Sequence, residues 1–232
     1  MRLEVLGIGW VTPSGIGNGQ PGEVFRLEPG KLPAMRSRLF LDEAHNRFGR
    51  FDQYTKAGFG AIALALRSAG LHRWKEKQPI GLVVGTRRGS LETDAAYFET
   101  AAYHGGAMAS PNLFAYTLPN CVLGEASIQF GLTGPTFVTD DAGGGHLNGI
   151  RTAVDLIRWD FCRTAVAGWC DVDSKIIDAD SGGPYGAVFF VLTRGSDTPL
   201  WQWREGRIFF KTDPIHDIGQ FARVFLETRT VG

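Results

Sequence analysis

Residues 137–159 read FVTDDAGGGHLNGIRTAVDLIRW. A short β-branched run meets three consecutive glycines. Leu147, Ile150, Ala153, Val154 and Ile157 then follow at three- and four-residue spacing. The first part suits a strand over 137–139 and the last an amphipathic helix over 144–159. A strand handed to a helix through a tight glycine turn is the joint of a layered α/β protein. The same alternation recurs outward from this stretch. Residues 3–11 (LEVLGIGWV) and 80–85 (IGLVVG) are short apolar runs that suit buried strands. Residues 53–69 carry Ala57, Ala61, Leu64, Ala65 and Ser68 at helical spacing, with Asp52 placed to cap them and Gly70 to end them. Helices are expected over 92–102 and 122–130, a loop with room for one short helix over 17–46, and a loop over 105–120. Downstream, 164–167 and 187–192 read as strands. A tail, 195–232, holds one more strand-like run (207–210) and a helix (218–225). With no repeat and no linker, residues 1–232 are expected to form a single domain.

Composition narrows the function. Twenty-four basic residues face twenty-four acidic ones, so the chain is formally neutral. That argues against a general role on nucleic acid or anionic membranes, both of which draw on a basic surplus. No apolar run reaches the length of a membrane span, and the N-terminus does not read as a signal peptide. Three cysteines without a CxxC pair predict neither a disulfide framework nor a zinc site, and a cytoplasmic protein is the expectation. The 31 glycines show no period, which excludes collagen-like and low-complexity chains.

The glycine turn invites a phosphate-binding reading that its spacing refuses. After Gly143-Gly144-Gly145 comes His146, not the lysine of a phosphate loop, and the last glycine of a dinucleotide fingerprint is missing. Tight packing of helix on sheet explains the turn, with Asp140 or Asp141 capping the helix. Asp141 and His146 also have the chemistry of a base and its orienter, although no serine or cysteine stands beside them in sequence. Asp171/Asp173 and Asp178/Asp180 miss the spacing of a calcium loop and suit a polar turn. No metal and no cofactor are expected. Cys162 and Cys170 read as small core residues, and Trp201 and Trp203 as core or interface anchors.

Taken in order, several segments resemble the N-terminal half of the β-ketoacyl synthases, in the thiolase-like superfamily. Gly7-Ile8-Gly9-Trp10-Val11-Thr12-Pro13 is similar to the family's opening strand and turn. Phe48-Gly49-Arg50-Phe51-Asp52 leads into a helix like the family's, and Ile80-Gly81-Leu82-Val83-Val84-Gly85-Thr86 matches its second strand. Ser110-Pro111, Leu118-Pro119-Asn120, Gly124-Glu125-Ala126 and Gly131-Leu132-Thr133-Gly134-Pro135 follow in the family's order. The resemblance implies a thiolase-like half: α/β, with a mostly parallel five-stranded sheet and helices on both faces.

Two departures shape the functional expectation. Where the family places its acyl-accepting cysteine at a helix N-terminus, this chain has Gly143, beside two carboxylates that would raise the pKa of any thiol there. The histidines of the family's second half also find no counterpart. The resemblance therefore implies a ketosynthase-like partner without condensing activity of its own, similar to chain-length-factor-type subunits of fatty acid, polyketide or aryl-polyene biosynthesis. Its expected partners are a full-length ketosynthase, an acyl carrier protein, or both, in a homo- or heterodimer. Asn112, Phe114 and Tyr116, with Phe137, Val138 and Thr139, are the candidates for the acyl channel or the interface. Two other readings stay open. One is a homodimeric scaffold that holds an acyl chain or a carrier protein; the other is an enzyme using Asp140, Asp141 and His146.

Overall fold

The computed structural model describes residues 1–173, 184–195 and 200–230. Its first strand, β1 (Arg2–Thr12), turns back on a short β2 (Gly15–Gly17). A long loop with two 3-10 turns leads to α1 (Gln53–Ser68). The Asp52 carboxylate accepts from the Thr55 N–H at 2.8 Å and so caps α1, as the sequence suggests. Then follow β3 (Gly81–Thr86), α2 (Leu91–Ala102), a four-residue α3 (Pro111–Phe114), α4 (Cys121–Phe130), β4 (Thr136–Asp140), α5 (Asn148–Arg158), β5 (Thr164–Asp171) and β6 (Gly186–Arg194). The tail supplies β7 (Trp201–Arg204), β8 (Arg207–Phe210), β9 (Asp213–Pro214) and α6 (Ile218–Thr230).

The nine strands among the described residues join one sheet in the order β4-β3-β5-β6-β1-β7-β8-β9, with β2 beside β1. Among the described residues, only the β3–β4 and β3–β5 strand pairs are parallel. The pairs of β1 with β2, β6 and β7, and the β5–β6, β7–β8 and β8–β9 pairs, are antiparallel. The expectation of a mostly parallel five-stranded sheet is thus corrected to a mixed, largely antiparallel sheet of nine. The reversed strand is β6, which lies between β5 and β1 and opposes both. Its run Ala187–Leu192 is buried on both faces, and such a run looks the same whichever way its neighbours point.

Alternate residues of the strands feed two cores. On one face Val11 and Phe189 join α1 and α4 with Phe40, Phe48, Phe51 and Phe59. On the other, Trp10, Trp169 and Phe190 meet α5 and α6, where Phe221 packs against both Phe190 and Trp201. Glycines set how close the helices come. A Cβ on Gly9 would run into the Ala61 carbonyl and the Ala65 nitrogen of α1, and one on Gly149 would run into the Gly168 carbonyl and the Gly85 nitrogen. Cα-only contact at Gly149 is what lets α5 sit directly on β3 and β5.

Other expectations shift in register. The predicted loop 105–120 contains α3, capped by the Ser110 hydroxyl at 3.3 Å from the Leu113 N–H. Helix α5 begins at Asn148 rather than at 144, because Gly144 (φ 77) and His146 (φ 55) are left-handed and unwind its expected first turn. The tail forms three strands where one was expected, and Trp201 and Trp203, both on β7, turn into the core. Cys162 and Cys170 are buried as well. Asp178 and Asp180 lie outside the described residues.

Candidate functional site

The strand-to-helix turn between β4 and α5 is built around Asp141. Its backbone N–H donates to the Thr86 carbonyl at 3.1 Å, which turns the carboxylate inward beneath the turn. The side chain is almost wholly buried, and Oδ1 accepts from the Asn148 N–H, the first of α5, at 3.4 Å. Oδ2 has no hydrogen-bond partner among the described residues and lies 3.5 Å from His146 Nδ1. The imidazole rests on Trp169, with ring centroids 4.5 Å apart. Asp140 behaves differently: it is exposed, and only its carbonyl takes part, accepting from Asn148 Nδ2 at 2.9 Å. Of the two carboxylates the sequence left open, Asp141 is the one that reaches the helix.

Gly143 and Gly144 are exposed, and a Cβ on either meets nothing within 4 Å. Gly145 is crowded by the tail: its carbonyl accepts from the Ile218 N–H at 2.9 Å, and a Cβ there would stand 2.6 Å from the His216 carbonyl oxygen. The three cysteines are engaged elsewhere: Cys121 donates to the Ala115 carbonyl, Cys170 to that of Tyr54, and Cys162 sits beside Gly81.

A neighbouring carboxylate, read from sequence only as part of a polar turn, is the buried Asp171 at the end of β5. It accepts from the Thr86 hydroxyl at 2.7 Å, from the Arg87 and Arg88 N–H groups at 3.1 and 2.8 Å, and from the Trp169 indole at 2.7 Å. This buried anchor fixes the turn that carries β3 into α2. The sequence reads Asp171 and Asp173 together as a polar turn; Asp173 is exposed, whereas Asp171 is buried. Among the described residues no cluster of three His, Cys, Asp or Glu side chains is arranged to hold a metal.

A second feature is a cleft of about 690 Å³ lined by Arg47, Arg50, Asn112, Tyr116, Cys121, Glu125 and Ile128. Arg47 pairs with Glu125 at 2.7 Å, and the Tyr116 hydroxyl donates to the same carboxylate at 3.4 Å. Burial, with the Glu125 charge, pushes the Tyr116 phenol up to about 12. Burial also raises the Cys121 thiol. The structure therefore brings Asn112 and Tyr116 together but leaves Phe114 out of the cleft, exposed and tilted against Tyr97 with ring centroids 5.3 Å apart. The charged lining was missed because Arg47 and Glu125 are 78 residues apart and nothing local links them.

Strand β4 ends the sheet, so one side of its backbone is unpaired among the described residues. Phe137 is 47% exposed there, with Val138 and Thr139 half-buried. Phe98, Tyr103, Met108, Leu118 and Ile128 are exposed on α2, α4 and the segments between them.

A mixed sheet with α1 and α4 on one face, α5 on the other, and a glycine turn ending β4 defines a thiolase-like α/β unit. Residues 38–182 match the family "Beta-ketoacyl synthase, N-terminal domain", and the chain belongs to that family. Among solved structures, it is similar to "The ishigamide ketosynthase/chain length factor", with 15% identity, TM-score 0.64, and 83% of this chain and 58% of that one covered. It is similar also to a type II polyketide ketosynthase solved with its acyl-carrier protein and bound hexaketide (16%, TM-score 0.61, 83% and 62% covered). A third is "Ketosynthase (ApeO) in Complex with its Chain Length Factor (ApeC) from Xenorhabdus doucetiae" (17%, TM-score 0.58, 85% and 81% covered). The chain thus spans about three fifths of the first two and four fifths of the third. No curated protein sequence matches it.

Proposed function

We propose that the chain is a ketosynthase-like partner subunit without condensing activity, of the chain-length-factor kind, which pairs with a full-length ketosynthase. The observation that carries this reading is the turn after β4. The position that the family resemblance assigns to the nucleophile is Gly143, and it opens on empty space where a thiol would stand. The buried Asp141 carboxylate beside it adds a charge that would oppose a thiolate. Partner binding is supported by the unpaired edge of β4 and the exposed Phe137, since an open sheet edge favours pairing with another chain. The cleft with Asn112 and Tyr116 suits a wall of the partner's acyl channel, and Arg47, Glu125 and Ile128 extend that wall. Two of the similar structures are named as ketosynthase and chain-length-factor pairs.

The test is intact-mass analysis of the purified chain after incubation with acyl-carrier thioesters. No acyl adduct is expected on the chain alone, and the ketosynthase supplied with it should acquire one. A stable adduct on the isolated chain, or condensation by it, would overturn the reading.

A further inference from the structure

At the far end of α5 from the glycine turn, the chain leaves the helix through Trp159, Asp160 and Phe161. The Phe161 N–H donates to the Leu156 carbonyl at 3.0 Å and the Asp160 N–H to that of Ile157 at 3.3 Å. With Asp160 left-handed at φ 61, this is the paired-bond ending that glycine usually serves. In that ending the residue after the left-handed one ordinarily folds back onto the helix. Phe161 does not: it is 66% exposed, and Trp159 is 62% exposed. Two large aromatic side chains are thus held outward on a backbone fixed by hydrogen bonds.

Cations surround them. Arg158 and Arg163 are exposed and have no carboxylate partner among the described residues. Arg194 braces the tip, donating to the Ile157 carbonyl at 2.7 Å and to Asp160 at 2.6 Å. An open groove of about 370 Å³ beside it is lined by Met1, Arg2, Arg158, Arg194 and Gly195, with the Asp160 carboxylate that Arg194 pairs. The formal neutrality of the whole chain conceals this local cluster.

We propose that this tip is a contact site for the surface of an anionic phospholipid bilayer. The aromatics protrude instead of lining a groove, which suits insertion into a soft headgroup layer. The Trp159 indole, apolar with one N–H, fits the boundary between acyl chains and water. The exposed Arg158 and Arg163 guanidinium groups flanking the pair in sequence match headgroup phosphates. This site goes beyond the partner reading and does not depend on it.

The experiment is co-sedimentation of the full chain with large vesicles, either phosphatidylcholine alone or phosphatidylcholine with an equal share of phosphatidylglycerol. The mixed vesicles should bind the chain and the neutral ones far less. Each basic residue near an anionic surface is worth about 1 kcal/mol, so Arg158→Gln with Arg163→Gln should weaken partition about 25-fold. Trp159→Ser with Phe161→Ser should weaken it at least as much, with melting temperatures unchanged because all four side chains are exposed. No sedimentation with the mixed vesicles, or equal partition of both double variants, would overturn the proposal. So would binding to polyglutamate but not to vesicles, lost in the same variants, which would assign the tip to an acidic protein.

Discussion

Replacing Asp171 by alanine removes the acceptor for four donors at once: the Thr86 hydroxyl, two backbone N–H groups and the Trp169 indole. The carboxylate is 4% exposed, so little water can take its place. Each buried donor left unpaired costs about 1–3 kcal/mol. Relaxation of the turn recovers part of this, and the net loss should be about 4 kcal/mol. For a chain of this size each kcal/mol lowers the melting temperature by about 2–4 °C, so a drop of about 8–16 °C is expected. Asp171→Asn keeps one acceptor oxygen but turns an amide N–H toward other donors, and should lose about half as much. Asp173→Asn, two residues on and exposed, is the control and should stay within about 0.5 kcal/mol of wild type. Urea unfolding followed by far-UV circular dichroism reads all three. An alanine variant within 1 kcal/mol of wild type would refute the anchoring role of Asp171.

Gly149→Ala places a methyl group into the Gly168 carbonyl and the Gly85 nitrogen, both backbone, and should cost about 3 kcal/mol or leave the chain insoluble; thermal melts decide it. Asp141→Ala should cost about 1–2 kcal/mol, because the Asn148 N–H loses its acceptor, whereas the exposed Asp140→Ala should cost a few tenths, as urea titrations can show. Burial holds the His45 and His72 imidazoles below their ordinary value of 6.5. The unfolded chain therefore takes up these protons first, so stability is full above 6.5 and falls as the pH drops through 6.5 toward the folded values. Melting temperatures from pH 7.5 to 5 should show that decline, and it should be shallower in His45→Phe.

Much of this architecture was legible because burial leaves a strong mark on sequence. The apolar runs of β1, β3 and β6 and the Ala-rich face of α1 fix those elements to within a residue or two, and Asp52 marks the start of α1. Strand direction left no such mark, since β6 is as apolar opposing its neighbours as it would be running with them. Strand β9, two residues long, is too short for a period of two to show. The start of α5 was misplaced because glycines permit a helix as well as a left-handed turn, and tertiary contacts chose the turn. At the candidate site, Asp141 and His146 were legible as neighbours in sequence. Asp171 and the Arg47–Glu125 pair were not, because their partners come from distant segments.

The central claim is that the free edge of β4 receives a catalytic partner. It is tested most directly by co-expressing the chain with a full-length type II ketosynthase and weighing the purified product by light scattering. The account predicts a one-to-one heterodimer, lost when Phe137 is replaced by aspartate while the variant still melts like wild type. A chain that purifies alone, as a monomer or as a homodimer indifferent to the ketosynthase, would contradict it.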